Sequence, residues 1–297
     1  MVTLGLIQMC CGENASKNLQ HALIMIEEAA TKGATIVCLP ELFLSPYFCQ
    51  KKDDSAAFES AEALPSETTA LLSQAAQRRG IVLVGGSLFE KGSDGKFYNT
   101  ATVFGTDGAL LGTYRKTHIP EDPRYHEQQY FAPGDTGIRV FETPFGRIAP
   151  LICYDQWFPE AARIAALKGA EIIVYPTAIG NFTDEDPEEG DWQAAWEGVQ
   201  RGHAIANTVS VAAVNRVGTE DALSFFGGSF VCDDFGAVLA RGGKGEEIVL
   251  AEIDLSRITK TREGWGFFRN RRPEMYKSLS VSPNSVSPSG VEGSKNT

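Results

Sequence analysis

No stretch of the 297 residues approaches the ~18–20 consecutive apolar residues that a bilayer-spanning helix needs. The amino terminus, MVTLGLIQMCCGEN, has no basic segment ahead of its apolar residues, so it reads as a strand and not as an export signal. Positive charge is in deficit. Lys and Arg total 27 against 38 Asp and Glu, a formal net charge of -11. That argues against a nucleic-acid or anionic-membrane partner. The one basic cluster, Arg269, Arg271 and Arg272, is short and reads as structural ion pairing. There is no C-x-x-C pair. The cysteines, at 10, 11, 38, 49, 153 and 232, are scattered as in a reduced, cytoplasmic protein. Only four histidines occur, none at metal-ligand spacing with cysteine or carboxylate, so no metal is expected.

Apolar residues make up 43% of the chain, enough for a sizeable core. Residues 2–9 read as a strand. From Asn14 to Lys32 the apolar positions follow a helical period, and Gly33 is the expected stop. ATIVCLP is then a buried strand. A second unit follows, with a helix over about 67–79 and the strand IVLVGGSLF. Turn signals at Asp94-Gly95 and Asp107-Gly108 bracket strands near 97–105 and 109–115. Strands at about 138–142 and 146–152 lead to Cys153. A helix opens at Pro159, a favoured first helical position, and AEIIVYP is a further buried strand. A helix over about 191–207, the strand VSVAAVN, more strands over 228–254 and a short helix from Asp254 complete one domain over 1–281. Residues 282–297, rich in Ser, Pro, Gly and Asn, read as a disordered tail.

One internal echo stands out. TKGATIVCLPE (31–41) and LKGAEIIVYPT (167–177) share a helix end, Gly-Ala, a buried strand, a proline and a polar residue. Such an echo suggests a duplicated half-fold: two related sheets face to face with helices outside, an α/β four-layer α-β-β-α sandwich. Ligands gather at the carboxyl ends of strands in α/β sheets. Glu41, Thr177 and Cys153 all sit at such ends.

Cys153, in ICYDQWFPEAAR, lies where a strand meets a helix. Free amides there and the helix N-terminus would stabilise a thiolate and lower the thiol pKa. The Tyr154 amide could also serve an oxyanion. A lone cysteine after an apolar run is otherwise core. A nucleophilic thiol needs a base, and His118, His126 or a carboxylate could serve. Glu41 directly follows a buried strand and Pro40. Lys116, in GTYRKTHIP, follows another strand and could hold an oxyanion. Glu127, in YHEQQYFAPGD, could position that lysine.

LPELF, YRKTHIP, HEQQYFAPGD and ICYDQWFPEAAR occur in this order, and together they resemble the nitrilase, or carbon–nitrogen hydrolase, superfamily. The resemblance covers roughly residues 2–281 and implies the same α-β-β-α sandwich. It implies a catalytic triad of Glu41, Lys116 and Cys153, with Glu127 supporting. CYDQWFPEAAR, YPTAIG, RGHAIAN and WGFFRNRRPEMY resemble the branch acting on N-carbamoylputrescine, which hydrolyses a ureido group on a diamine. An acidic residue would be expected two positions after the glycine of YPTAIG, but Phe182 stands there; Asp184 and Glu185 are the next acids. Tyr47, Tyr125, Tyr154, Trp157 and Thr177 complete the expected substrate contacts. No organic cofactor is implied. The expected partner is a small ureido or amide compound with a cationic amine, and WGFFRNRRPEMY suggests a homo-oligomer, dimer or higher. The alternative is another amidase, a ureidopropionase-like enzyme or a nitrilase using the same triad.

Overall fold

The structure is a computed structural model that describes residues 1–52, 54–184 and 190–280. The expected tail, 282–297, and Glu185 lie outside them. The first half of the chain runs β1 (Val2–Gln8), α1 (Ala15–Thr31), β2 (Ile36–Cys38), α2 (Glu67–Arg79), β3 (Val82–Lys91), β4 (Phe97–Phe104) and β5 (Leu110–Arg115). After a long irregular segment come β6 (Phe141–Thr143), β7 (Gly146–Pro150), α3 (Pro159–Leu167), β8 (Ile172–Pro176), β9 (Gly180–Phe182), α4 (Trp192–Asn207) and β10 (Ser210–Val214). The chain closes with β11 (Val217–Glu220), β12 (Leu223–Phe226), β13 (Phe230–Cys232), β14 (Val238–Arg241), β15 (Glu247–Ile253) and α5 (Leu255–Trp265).

Among the described residues, two six-stranded sheets form, ordered β15-β1-β2-β3-β4-β5 and β6-β7-β8-β10-β13-β14. In the first, β1, β2 and β3 are parallel and the other neighbours antiparallel. In the second, β7, β8 and β10 are parallel and the rest antiparallel. The two sheets thus repeat one pattern, and the echoed segments occupy equivalent places, α1 into β2 and α3 into β8. The expected sandwich is what forms.

Alternation along the strands builds the layers. Ile36 and Cys38 of β2 meet Ile172 and Val174 of β8 in a core between the sheets. Val37 turns the other way, against Ile26 and Ala29 of α1 and Leu72 of α2. Ile173 and Tyr175 face Ala162 and Ala165 of α3 and Ala204 of α4. Helix starts are capped as residue type dictates: Asn14, Ser66, Asp191 and Asp254 each accept a backbone N–H of the first turn. A third, small sheet, β11-β12-β9, is built from strands of three or four residues that carry no alternating run to announce them. The expected strand near 138–142 is shorter, at Phe141–Thr143. The basic cluster behaves as ordinary surface: Arg272 pairs with Glu274, and Arg271 lies over the Tyr276 ring.

The Gly-Gly of IVLVGGSLF has a specific task. The β3–β4 register shifts between Val84 and Ser87, and Gly86 adopts φ +61°. A Cβ there would sit 2.2 Å from the Pro40 carbonyl oxygen. This bulge makes room for the exit of β2 and so for Glu41. Gly86→Ala is expected to cost about 2–4 kcal/mol, from left-handed strain plus steric overlap, as measured by urea unfolding.

Candidate active site

Each candidate side chain arrives on the end of a rigid element. Glu41 leaves β2 three residues past its last strand residue and is fully buried. Lys116 follows β5, and its N–H bonds the Asn99 carbonyl of β4 at 2.8 Å. Its own carbonyl accepts the Gly134 N–H at 2.8 Å. The chains pass so closely that a Cβ on Gly134 would lie 2.1 Å from the Arg115 oxygen, which explains the glycine of APGD. Glu127 opens a short 3-10 turn, Glu127–Gln129, inside the irregular segment, and is also fully buried.

These three meet. Lys116 Nζ donates to Glu41 Oε1 at 2.8 Å and to both oxygens of Glu127, at 2.8 and 2.7 Å. Glu41 Oε1 also accepts from Asn99 Nδ2 at 2.8 Å. Glu127 Oε1 accepts from the Tyr47 hydroxyl at 2.7 Å. Glu41 Oε2 is buried with no hydrogen-bond partner among the described residues. Burial works against the Lys116 ammonium, but Glu127 and Glu41 outweigh it and hold its pKa well above the usual value. One ammonium cannot neutralise two carboxylates. Burial, relieved by Lys116 and reinforced by Glu41, pushes Glu127 up to about 7.

Cys153 stands in the same field. Burial and the Glu41 charge raise its pKa well above the usual thiol value; Lys116 opposes them, Glu127 adds to them, and the Ala178 amide hydrogen-bonds the sulfur. The expectation of a lowered pKa is therefore corrected. Helix α3 begins at Pro159, but a 3-10 turn, Cys153–Trp157, separates it from the sulfur, and burial outweighs any dipole. Cys153 has φ +41°, a left-handed conformation that costs a non-glycine residue roughly 1–3 kcal/mol. The Asp155 carboxylate helps to hold it by accepting the Ile152 N–H at 2.9 Å. The first hydrogen bond of the turn runs from the Asp155 N–H to the Ile152 carbonyl, so the Tyr154 amide precedes it and has no partner within the turn.

The histidines are committed elsewhere. His118 Nδ1 lies 2.7 Å from Asp155 Oδ1, and its ring stacks on Phe158 at 3.7 Å. His126 pairs with Glu121. Of the expected contacts, Tyr47 and Tyr125 are buried together, ring centroids 5.6 Å apart. Tyr154 and Trp157 are half-buried on the Cys153 turn. The Thr177 hydroxyl is used by its own strand, donating to the Tyr175 carbonyl at 3.0 Å. Asp184 is ion-paired with Arg124 at 2.6 Å, and the Phe182 ring meets both the Trp192 ring, edge-on, and the Arg124 guanidinium. Asp155, Asn99 and Arg216 were not singled out from sequence. Only Asp155, two residues after Cys153, had a signal by proximity; Arg216 looks like an ordinary charge after a strand, yet its guanidinium is fully buried.

The family model for carbon–nitrogen hydrolases matches residues 3–263. The chain belongs to the carbon–nitrogen hydrolase family. Its relatives include an N-carbamoylputrescine amidase of Solanum lycopersicum, 41% identical, with 94% of this chain and 95% of that protein aligned. A citrullinase of Francisella tularensis is 37% identical, covering 94% of this chain and 98% of that protein. Among solved structures, a carbon–nitrogen hydrolase from Helicobacter pylori superposes with a TM-score of 0.89 at 42% identity, covering 94% of this chain and 98% of that one.

The buried triad makes a pH prediction. Because Glu127 is raised toward 7, the folded chain binds more protons than the unfolded one between pH 4.5 and 7. Its contribution to stability is fully present below that window and is lost as pH rises through it. Glu127→Gln is expected to flatten the fall in unfolding free energy between pH 5 and 7 by something on the order of 1–3 kcal/mol in urea titrations.

Proposed function

We propose that the protein hydrolyses the ureido C–N bond of N-carbamoylputrescine, giving putrescine, CO2 and ammonia. Cys153 is the nucleophile, Glu41 the proton carrier, Lys116 the oxyanion cation and Glu127 the supporting carboxylate. The observation that carries this reading is the unpartnered, buried Glu41 Oε2, on a carboxylate near enough for its charge to help raise the pKa of the buried Cys153 thiol. Such a thiol needs a nearby acceptor, and a carboxylate without a partner is one.

The proposed steps follow from these roles. Glu41 takes the thiol proton as the sulfur attacks the ureido carbon. The carbonyl electron pair moves onto oxygen, where the Lys116 ammonium and the Tyr154 amide meet it. The pair returns, one C–N bond breaks, and Glu41 delivers its proton to the departing nitrogen. Glu41 then activates water, which hydrolyses the thioester and releases Cys153. The carbamate so formed breaks down to CO2 and an amine or ammonia.

The tomato relative supports the diamine substrate. A second reading, an amino-acid head group such as that of citrulline, is favoured by one observation: Arg124 and Asp184 form a mixed-charge pair beside Phe182, suited to a carboxylate and an ammonium together. We also read residues 1–281 as one hydrolase domain, supported by the family match and by β1–β15 pairing across the chain. A homo-oligomer is supported by exposed Trp265, Phe267, Met275 and Leu279 near the carboxyl end. Six free cysteines fit a cytoplasmic setting. No helix among the described residues is long and apolar enough to cross a membrane.

Ammonia release from N-carbamoylputrescine, citrulline, β-ureidopropionate, ω-amides and nitriles tests the reading. N-carbamoylputrescine is expected to give the highest kcat/KM, and a clear preference for citrulline would replace it with the second reading. Cys153→Ala should be inactive. Lys116→Ala should lose about 10²–10³ in kcat, as for removal of one oxyanion donor. Mass spectrometry of the quenched enzyme should show the acyl group on Cys153, its mass reporting which nitrogen leaves first.

A further inference from the structure

The loop 41–47 carries both Glu41 and Tyr47, the hydroxyl partner of Glu127. It has no strand or helix of its own to hold it. Leu42 has φ +47°, so the backbone immediately after Glu41 sits in a conformation that relaxes unless its surroundings over-determine it. Ser87 Oγ accepts the Leu42 N–H at 3.1 Å and Asn18 Nδ2 donates to the Leu44 carbonyl at 2.8 Å, and one further side chain reaches three carbonyls of the loop. Arg216, just past β10 and fully buried, sends Nη2 to the carbonyls of Glu41 (2.9 Å) and Leu42 (2.8 Å). Its Nη1 reaches the Ser45 carbonyl at 3.2 Å and both oxygens of Glu220, at 2.9 and 3.0 Å. Glu220 balances the charge and accepts the Tyr47 N–H at 2.5 Å. The neighbouring Asn215 reaches the other side of the site. Its Oδ1 accepts the Ile179 N–H and its Nδ2 donates to the Ile179 carbonyl, fixing the residue after Ala178, whose amide bonds the Cys153 sulfur.

We propose that Arg216 and Glu220 are positioning residues for the reaction, holding Glu41 against Cys153 through the 41–47 loop. This rests on the reading of Glu41 as the proton carrier. A buried guanidinium is costly unless fully used, and a purely structural tie would be served by a neutral or apolar contact. Here Nη2 goes to the backbone of the base itself and of the residue that follows it, even though Nε is left buried without a partner among the described residues. A displacement of the carboxylate by an ångström costs a proton transfer far more than it costs binding. Lysine keeps the charge and the Glu220 partner but cannot reach three carbonyls with one fork.

The test compares R216K, E41Q and the double variant in the full chain. It reads kcat and KM, and also the rate at which iodoacetamide alkylates Cys153, followed on the Cys153 peptide. R216K is expected to lower kcat by about 10²-fold with KM changed far less. Alkylation should slow in E41Q, and adding R216K should slow it no further, because the restraint then has no base to position. Unchanged kcat in R216K, or a loss that multiplies in full on the E41Q background, overturns the proposal. If E41Q itself leaves kcat and alkylation untouched, the proton-carrier reading fails first and takes this proposal with it. Should R216K not fold, E220Q decides: a fall in kcat that is likewise absent on the E41Q background supports the proposal, and an unaltered kcat sinks it.

Discussion

Everything at the candidate site follows from one ammonium placed between two carboxylates, all three buried away from bulk solvent. Lys116 satisfies both, but charge does not balance: one positive against two negative groups leaves an excess that the protein cannot screen. Burial is the main reason that Glu127 binds protons readily and that the thiol of Cys153 resists losing its own; the neighbouring Glu41 charge adds to both shifts and Lys116 opposes them. In such surroundings a thiolate is disfavoured at rest, which fits the proposed sequence in which the sulfur gives up its proton only as it attacks a carbonyl. Breaking a buried pair of this kind leaves an uncompensated charge, so these three residues are bound together by stability as well as by chemistry.

The fold divides the labour. Its first sheet delivers Glu41 and Lys116 from the ends of β2 and β5, and its second delivers Cys153 from the end of β7. The two sheets repeat one strand pattern, yet the equivalent exits are not chemically equivalent: where β2 ends in Glu41, β8 ends in Thr177, whose hydroxyl is turned back on its own strand. The candidate site therefore forms where the two halves meet, and the apolar core between them, with Ile36, Cys38, Ile172 and Val174 in one cluster, joins the two sheets that carry its residues.

Much of this could be read from residue order. The buried strands, the helix stop at Gly33 and the opening at Pro159 are local signals, and the local signals agree with the packing. Glu41 was legible because a charge directly after Pro40 and an apolar run is out of character for a simple strand. The motifs around Lys116, Glu127 and Cys153 added the rest. Three things were not legible. The β11-β12-β9 sheet has strands too short to show a period. Arg216 is indistinguishable from a solvent-facing charge until its tertiary partners are known. The direction of the Cys153 shift depends on burial and on Glu41, neither of which has a sequence-local signature, so reasoning from the helix end alone gave the wrong sign.

The pairing of β15 with β1 has a consequence for how the chain is made. β1 has β2 as its parallel neighbour, but its other edge pairs with residues 247–253, far along the chain. Until that stretch has been made, an apolar strand edge stands without its partner, the kind of edge that recruits other chains. The first sheet, and the half of the candidate site that it carries, is therefore closed only when segments from opposite ends of the fold are both present.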